Sequence, residues 1–175
     1  KSCHLLELAP TLDLVSVDID PDRLNRVFEN FTRLGATGDL RCLDLARPQP
    51  GLGTFDKILL DTPCSASGVI RRHPDIKLLR RPEDLPALIE TQRQLLTQCW
   101  SLLRPGGRLL YVTCSIFSEE NEDNLVWFLA NHHDVETLAL PAVGVPRVIG
   151  VQLLPTKGVH DGFYYAHIRK MSPGL

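Results

Sequence analysis

Two cysteines stand where this sequence could do chemistry. Cys64 lies in Asp61-Thr62-Pro63-Cys64-Ser65-Ala66-Ser67-Gly68, and Cys114 in Thr113-Cys114-Ser115. A thiolate is intrinsically a strong nucleophile, provided a local field lowers its pKa. Pro63 stiffens the turn that holds Asp61 and Cys64 in a defined relation. The small residues Ser65, Ala66, Ser67 and Gly68 would let a flat substrate approach the backbone. Zinc is the competing reading, and the absence of a C-x-x-C or a His pair at ligand spacing argues against it, so no metal is expected. An isolated cysteine is most often a small buried hydrophobe. Cys3, Cys42 and Cys99 are read that way, Cys99 on the apolar face of its helix.

Three carboxylates complete the candidate set. Asp18, Asp44 and Asp61 each close a short apolar run. An acid at a strand end can accept hydrogen bonds from ribose hydroxyls, or from an exocyclic amine, and it can equally be a helix cap or a solvated turn.

These residues need elements to position them. Leu12 to Val17 reads as a strand ending at Asp18, with Asp20 as N-cap, Pro21 at the first helical position and Gly35 as the stop. Leu40 to Leu43 and Lys57 to Leu60 read as further short strands ahead of Asp44 and Asp61. Arg47 to Gly53 holds two Pro and two Gly and reads as a loop. Thr62 to Arg81 reads as a long irregular loop, of the kind that is more often functional than idle. Pro82 to Leu103 is the longest helix, stopped by Pro105-Gly106-Gly107. Arg108 to Thr113 is a strand leading into Cys114, and Ser118 caps a helix whose acidic first turn suits the dipole. That helix start is a candidate source of field for Cys114. Pro141 to Pro155 reads as loop, Phe163 to Ile168 as the last strand. Strands alternating with helices predict a doubly wound α/β sheet, in which Asp18, Asp44, Asp61 and Cys114 share the carboxyl edge.

Composition bounds the partners. The 175 residues are 43% hydrophobic and 23% charged, and 19 Lys and Arg against 21 Asp and Glu give a net charge of −2. That excludes a globally basic nucleic-acid clamp, though not a local patch. Ile70 to Arg81 concentrates five basic residues, Arg71, Arg72, Lys77, Arg80 and Arg81, against one acid, directly after the Cys64 loop. Arg71, Arg72, His73 and Lys77 are therefore candidate phosphate contacts. His132, His133 and His160 are expected on the surface or in loops. No apolar run is long enough for a membrane span. Five cysteines without framework spacing suit a reducing cytoplasm.

The paired motifs resemble the cysteine signature of RNA (cytosine-5) methyltransferases. The run Gly68-Val69-Ile70-Arg71-Arg72-His73-Pro74-Asp75-Ile76-Lys77 narrows the likeness to the bacterial Sun-type branch, the 16S ribosomal RNA methyltransferase B group. Ser118-Glu119-Glu120-Asn121 and Asp161-Gly162-Phe163-Tyr164 are similar to its later motifs. The resemblance implies a Rossmann-like fold that takes S-adenosylmethionine, with ribosomal RNA as partner. It implies Cys114 as nucleophile toward C6 of cytosine, Cys64 as the thiol that assists proton removal and release, and Asp61 against the polar edge of the base. Asp18 would hold the ribose hydroxyls and Asp44 would sit near the adenine. The family's first strand and Gly-rich turn are expected to end near Lys1, which would be the last cofactor-side residue of that motif. A sheet without that strand would be split, and residues 1–175 would be one methyltransferase domain forming the C-terminal part of a longer protein. Two other readings stay open: a nicotinamide-dependent dehydrogenase, which Asp18 would suit but which leaves the cysteines unexplained, and a non-catalytic RNA-binding module.

Overall fold

A computed structural model describes residues 1–172. The chain divides into two compact units, Lys1–Pro48 and the segment from Gln49 onward. Its strands form two sheets, the split expected above.

The first unit contains α1 (Ser2–Leu8), β1 (Val15–Asp18), α2 (Pro21–Leu34) and β2 (Asp39–Cys42), with β1 and β2 parallel. The Asp20 side chain accepts the Asp22 and Arg23 amides, Pro21 starts α2 without an amide to satisfy, and Gly35 ends it at φ 62°. Leu24 and Phe31 form the buried stripe of α2. Cys42 departs from expectation. It is exposed, and its thiol lies 3.6 Å from the Ile19 carbonyl.

The second unit is built on β3 (Phe55–Asp61), α4 (Asp84–Leu102) and β4 (Leu103–Thr113). The two strands run parallel, joined through α4 in the crossover that parallel pairing demands. A single 3₁₀ turn (Ser67–Val69) and the four-residue α3 (Ile76–Leu79) interrupt the segment read as irregular loop. After β4 come a 3₁₀ turn (Ser118–Glu120), α5 (Glu122–Asn131), β5 (Val135–Leu138), β6 (Val145–Pro146), β7 (Val151–Leu153) and β8 (Phe163–Lys170). The sheet order is β3-β4-β8-β7-β6, with β5 also paired to β8, and β8 is antiparallel to each of its partners. This is a Rossmann-like α/β arrangement. Among the described residues no helix is long and apolar enough to cross a membrane.

Beyond α1 and β5, which the sequence reading did not assign, the structure differs from that reading at three places. β4 begins at Leu103, not Arg108, because the chain leaves α4 directly into extended backbone. Pro105, Gly106 and Gly107 lie within it as a bulge, where Arg104 to Gly107 stand opposite the single residue Asp56. Arg104 pins that bulge, donating to Thr54 Oγ1 at 3.1 Å and to Asp56 at 2.9 Å. Ser118 caps no helix: its short 3₁₀ turn has no side-chain cap, and α5 starts at Glu122. The stretch read as loop carries β6 and β7, joined across Gly150 at φ 83° and too short to show a period.

The core lies on one face of the second sheet. Leu96, Leu109, Tyr111, Leu125, Phe128, Tyr164, Ala166 and Ile168 are fully buried there. Along β8 the buried positions Tyr164, Ala166 and Ile168 keep period two. Phe128 meets Trp100 edge-on at 5.4 Å and stacks on His132 at 4.0 Å. Phe128→Ala is expected to cost about 3–5 kcal/mol of unfolding free energy, measured as a lowered urea midpoint at unchanged slope.

Candidate active site

Parallel pairing of β3 and β4, with Asp61 opposite Val112, releases both chains from the same edge of the sheet. Asp61 ends β3, exposed, and Cys114 follows β4 immediately. The two loops then converge, and Cys64 Sγ lies 3.3 Å from Cys114 Sγ. Cys64 is 7% exposed while Cys114 is half-buried.

Close backbone approach makes this convergence possible. The Gly68 amide donates to the Cys114 carbonyl at 2.9 Å, and the Gly162 amide donates to the Gly68 carbonyl at 2.8 Å. A Cβ on Gly68 would stand 2.3 Å from the Gly162 oxygen and 2.8 Å from the Cys114 oxygen, so only glycine fits. Ala66 supports the tight path with φ 60°, a left-handed conformation costing a residue with a Cβ about 1–2 kcal/mol.

Buried polar groups fix each cysteine's neighbours. The Ser65, Ser67 and Ser115 hydroxyls lie 3.1–3.2 Å from one another. Ser65 Oγ and the Ser65 amide both donate to Glu120. On the other loop, Asn121 and Gln152 donate to the Ser115 carbonyl at 3.0 and 3.2 Å, and Thr113 Oγ1 donates to Asn121 at 2.5 Å. Arg80 approaches from outside, donating to the Ser65 carbonyl at 3.1 Å and the Cys64 carbonyl at 3.2 Å.

The two sulfurs are unequal. Its hydrogen bond with Cys114, then its burial, push the Cys64 thiol well above the ordinary thiol range. Either sulfur can donate in this contact. No helix begins at Ser118 to supply a field at Cys114: Ser118 lies in the 3₁₀ turn, and α5 starts at Glu122.

The remaining expected residues fall in two groups. Asp18, Asp44 and Lys1 belong to the first unit. Half-buried Asp18 accepts the Asp20 amide at 2.9 Å on one oxygen, and its other oxygen stands 3.8 Å from Arg23. Asp44 accepts the Ala46 amide at 3.0 Å, and exposed Lys1 is the N-cap residue ahead of α1. In the second unit, Arg71 and Arg72 hold Asp161 at 3.1 and 2.6 Å, and Arg71 also donates to the Thr156 carbonyl at 3.0 Å. They tie the segment after Cys64 to the residue before Gly162, while His73 and Lys77 are exposed. A shallow cleft lined by Asp56, Lys57, Pro105, Gly106, Gly107 and Arg108 lies at the amino ends of β3 and β4, away from the sulfurs.

A family model described as 16S rRNA methyltransferase RsmB/F matches residues 1–169. The chain belongs to the RsmB/F family. Ribosomal RNA small subunit methyltransferase B of Pasteurella multocida is 45% identical across 98% of this chain and 40% of its own length. The protein of the same name from Shewanella oneidensis is 48% identical across 97% of this chain, again 40% of its own length. The chain thus spans about two fifths of these relatives. The structure of NSun6 from Pyrococcus horikoshii with SFG superposes with a TM-score of 0.86 at 28% identity, over 98% of this chain and 45% of that one.

For this RsmB/F chain, sequence reading gave no role in the site to Glu120, Gln92 or Arg80. Gln92 carried a legible signal: it falls between Leu88, Leu96 and Cys99 on the apolar stripe of α4, where a polar residue needs a buried partner. Glu120 was read only within the family-like run Ser118-Glu119-Glu120-Asn121 and as an acid of a first helical turn, and neither reading gave its carboxylate a buried partner. At about pH 8, where an ordinary thiol begins to ionise, iodoacetamide is expected to modify Cys114 before Cys64, read by peptide mapping. Prior modification of Cys64 would contradict the order that burial sets.

Proposed function

We propose that this chain is the catalytic part of an S-adenosylmethionine-dependent RNA (cytosine-5) methyltransferase acting on 16S ribosomal RNA in the cytoplasm. Both units would then belong to one methyltransferase domain. The observation that carries this reading is the pair of sulfurs in contact at the carboxyl edge of β3 and β4. Membership in the RsmB/F family and the small-subunit relatives support the substrate class.

Cytosine C5 is a poor nucleophile, so it must be activated. Cys114 adds as thiolate to C6, forming a C–S bond and moving the electrons of the 5,6 double bond onto C5. Asp61 hydrogen-bonds the polar edge of the base and stabilises that adduct. S-adenosylmethionine, when bound, would supply an electrophilic sulfonium methyl group to C5, its sulfur keeping the electron pair of the broken S–CH3 bond and leaving as the thioether S-adenosylhomocysteine. The C5 proton then leaves with help from Cys64, the electron pair of that C–H bond restores the double bond, and Cys114 departs from C6 as thiolate. A half-buried thiol and a buried one can divide these two tasks.

The carboxylates fit the cofactor by their acceptor chemistry. Asp18 uses one oxygen on the Asp20 amide and is half-buried, leaving acceptor capacity for ribose hydroxyls. Asp44 is assigned to the adenine side, Lys1 to the end of the Gly-rich turn and Asp61 to the methionine end. Arg71, Arg72, His73 and Lys77 form the RNA-facing segment, Arg71 and Arg72 doing so while they anchor Asp161. A base within a duplex must be flipped, so a loop or opened target suits this chemistry.

Nucleoside mass spectrometry after incubation with unmodified 16S RNA and S-adenosylmethionine is expected to show 5-methylcytidine with the full-length protein, and none with Cys114→Ser. Cys64→Ala should accumulate an RNA–protein adduct on a denaturing gel. Product formed by Cys114→Ser would overturn the mechanism. Lys77→Gln is expected to weaken RNA binding and reduce the slope of log K against log salt by about 0.7 for one lost phosphate contact; an unchanged slope would make this segment a solvated face.

A further inference from the structure

Glu120 is the only acid among the described residues that the fold buries completely, at 0% exposure. A buried carboxylate is costly unless donors surround it. Its Oε1 accepts the Ser65 amide at 2.7 Å and Gln92 Nε2 at 3.0 Å, and its Oε2 accepts the Ser65 hydroxyl at 2.5 Å. Gln92, also fully buried, donates from the same nitrogen to the Pro63 carbonyl at 2.9 Å and accepts from Asn124 at 2.7 Å. Tyr111 donates to the Glu120 backbone carbonyl at 2.7 Å, which fixes the carboxylate from its own chain.

All of these bonds converge on the residues flanking Cys64. Glu120 holds the residue after it, and Gln92 links Glu120 to the residue before it. Ser65 Oγ also touches Ser115 Oγ at 3.2 Å, and Ser115 follows Cys114 directly. The charged groups facing the Ser65 peptide are thus Glu120 from the inside and Arg80 from the outside.

We propose that Glu120 is a positioning residue that holds the Cys64 and Cys114 sulfurs in contact, by gathering the Ser65 amide and hydroxyl onto one buried carboxylate. The inference rests on the reading of the sulfur pair given under the proposed function. It adds a residue that touches neither sulfur and acts through Ser65. A carboxylate is needed here because both oxygens receive donors. The amide in Glu120→Gln keeps the shape, yet turns one acceptor into a donor facing the Ser65 hydroxyl.

The test is the pH profile of Cys114 alkylation by iodoacetamide, followed by peptide mass spectrometry in the full-length protein without RNA. Glu120→Gln is expected to slow Cys114 alkylation near neutral pH by about tenfold, the size of one hydrogen bond to a charged group, and to move the profile upward. Its thermal midpoint should show that it remains folded. A folded Glu120→Gln whose profile superimposes on the parent's would overturn the inference. If Glu120→Gln does not fold, Ser65→Ala decides by the same readout: a raised profile supports the relay, and an unchanged one refutes it. Absence of 5-methylcytidine from the parent protein would instead count against the functional reading and leave the alkylation result standing.

Discussion

The site depends on one register, the parallel pairing of Asp61 with Val112. Parallel neighbours leave the sheet in the same direction, so the chains after β3 and β4 must share one volume. The sequence meets that constraint with small residues. Gly68 packs its Cα against the Gly162 backbone and donates to the Cys114 carbonyl, an approach that a single Cβ would block. The sulfur contact follows from this close backbone packing.

Polar groups then hold what the glycines allow. The hydroxyls of Ser65, Ser67 and Ser115 join the two loops, Glu120 and Gln92 anchor one of them to α4, and Asn121 and Gln152 anchor the other. Satisfied buried networks of this kind specify one geometry, because any displaced member leaves an unpaired group. Arg71 and Arg72 extend the scheme outward by gripping Asp161, beside the glycine that packs on Gly68. These arginines therefore have a structural partner as well as the basic character that sequence reading noticed.

The sequence was legible wherever the signal was local. Asp20, Pro21 and Gly35 mark the ends of α2 because caps are set by neighbouring backbone, and period two along β8 reports its burial. The strand ends at Asp18, Asp61 and Cys114 could be read because short apolar runs stop there. Local signals failed for β6 and β7, which are too short to show a period. They failed for β4, where Pro105 and the glycines form a bulge inside a strand rather than a helix stop. Glu120 was illegible for a different reason: its meaning comes from Ser65, fifty-five residues away, and an acidic run reads as solvated until its partner is known. Among the cysteines, packing could be anticipated for Cys99, whereas Cys42 is exposed because it ends an edge of the small parallel pair.

The division of labour between the two sulfurs is the central claim, and trapping tests it most directly. A 16S RNA fragment carrying 5-fluorocytidine at the modified position would block loss of the C5 substituent and hold the adduct in place. Tandem mass spectrometry of the digested complex should then find the nucleotide on the peptide containing Cys114, attached through its sulfur. A nucleotide attached to Cys64, or no covalent complex in the presence of S-adenosylmethionine, would contradict the account.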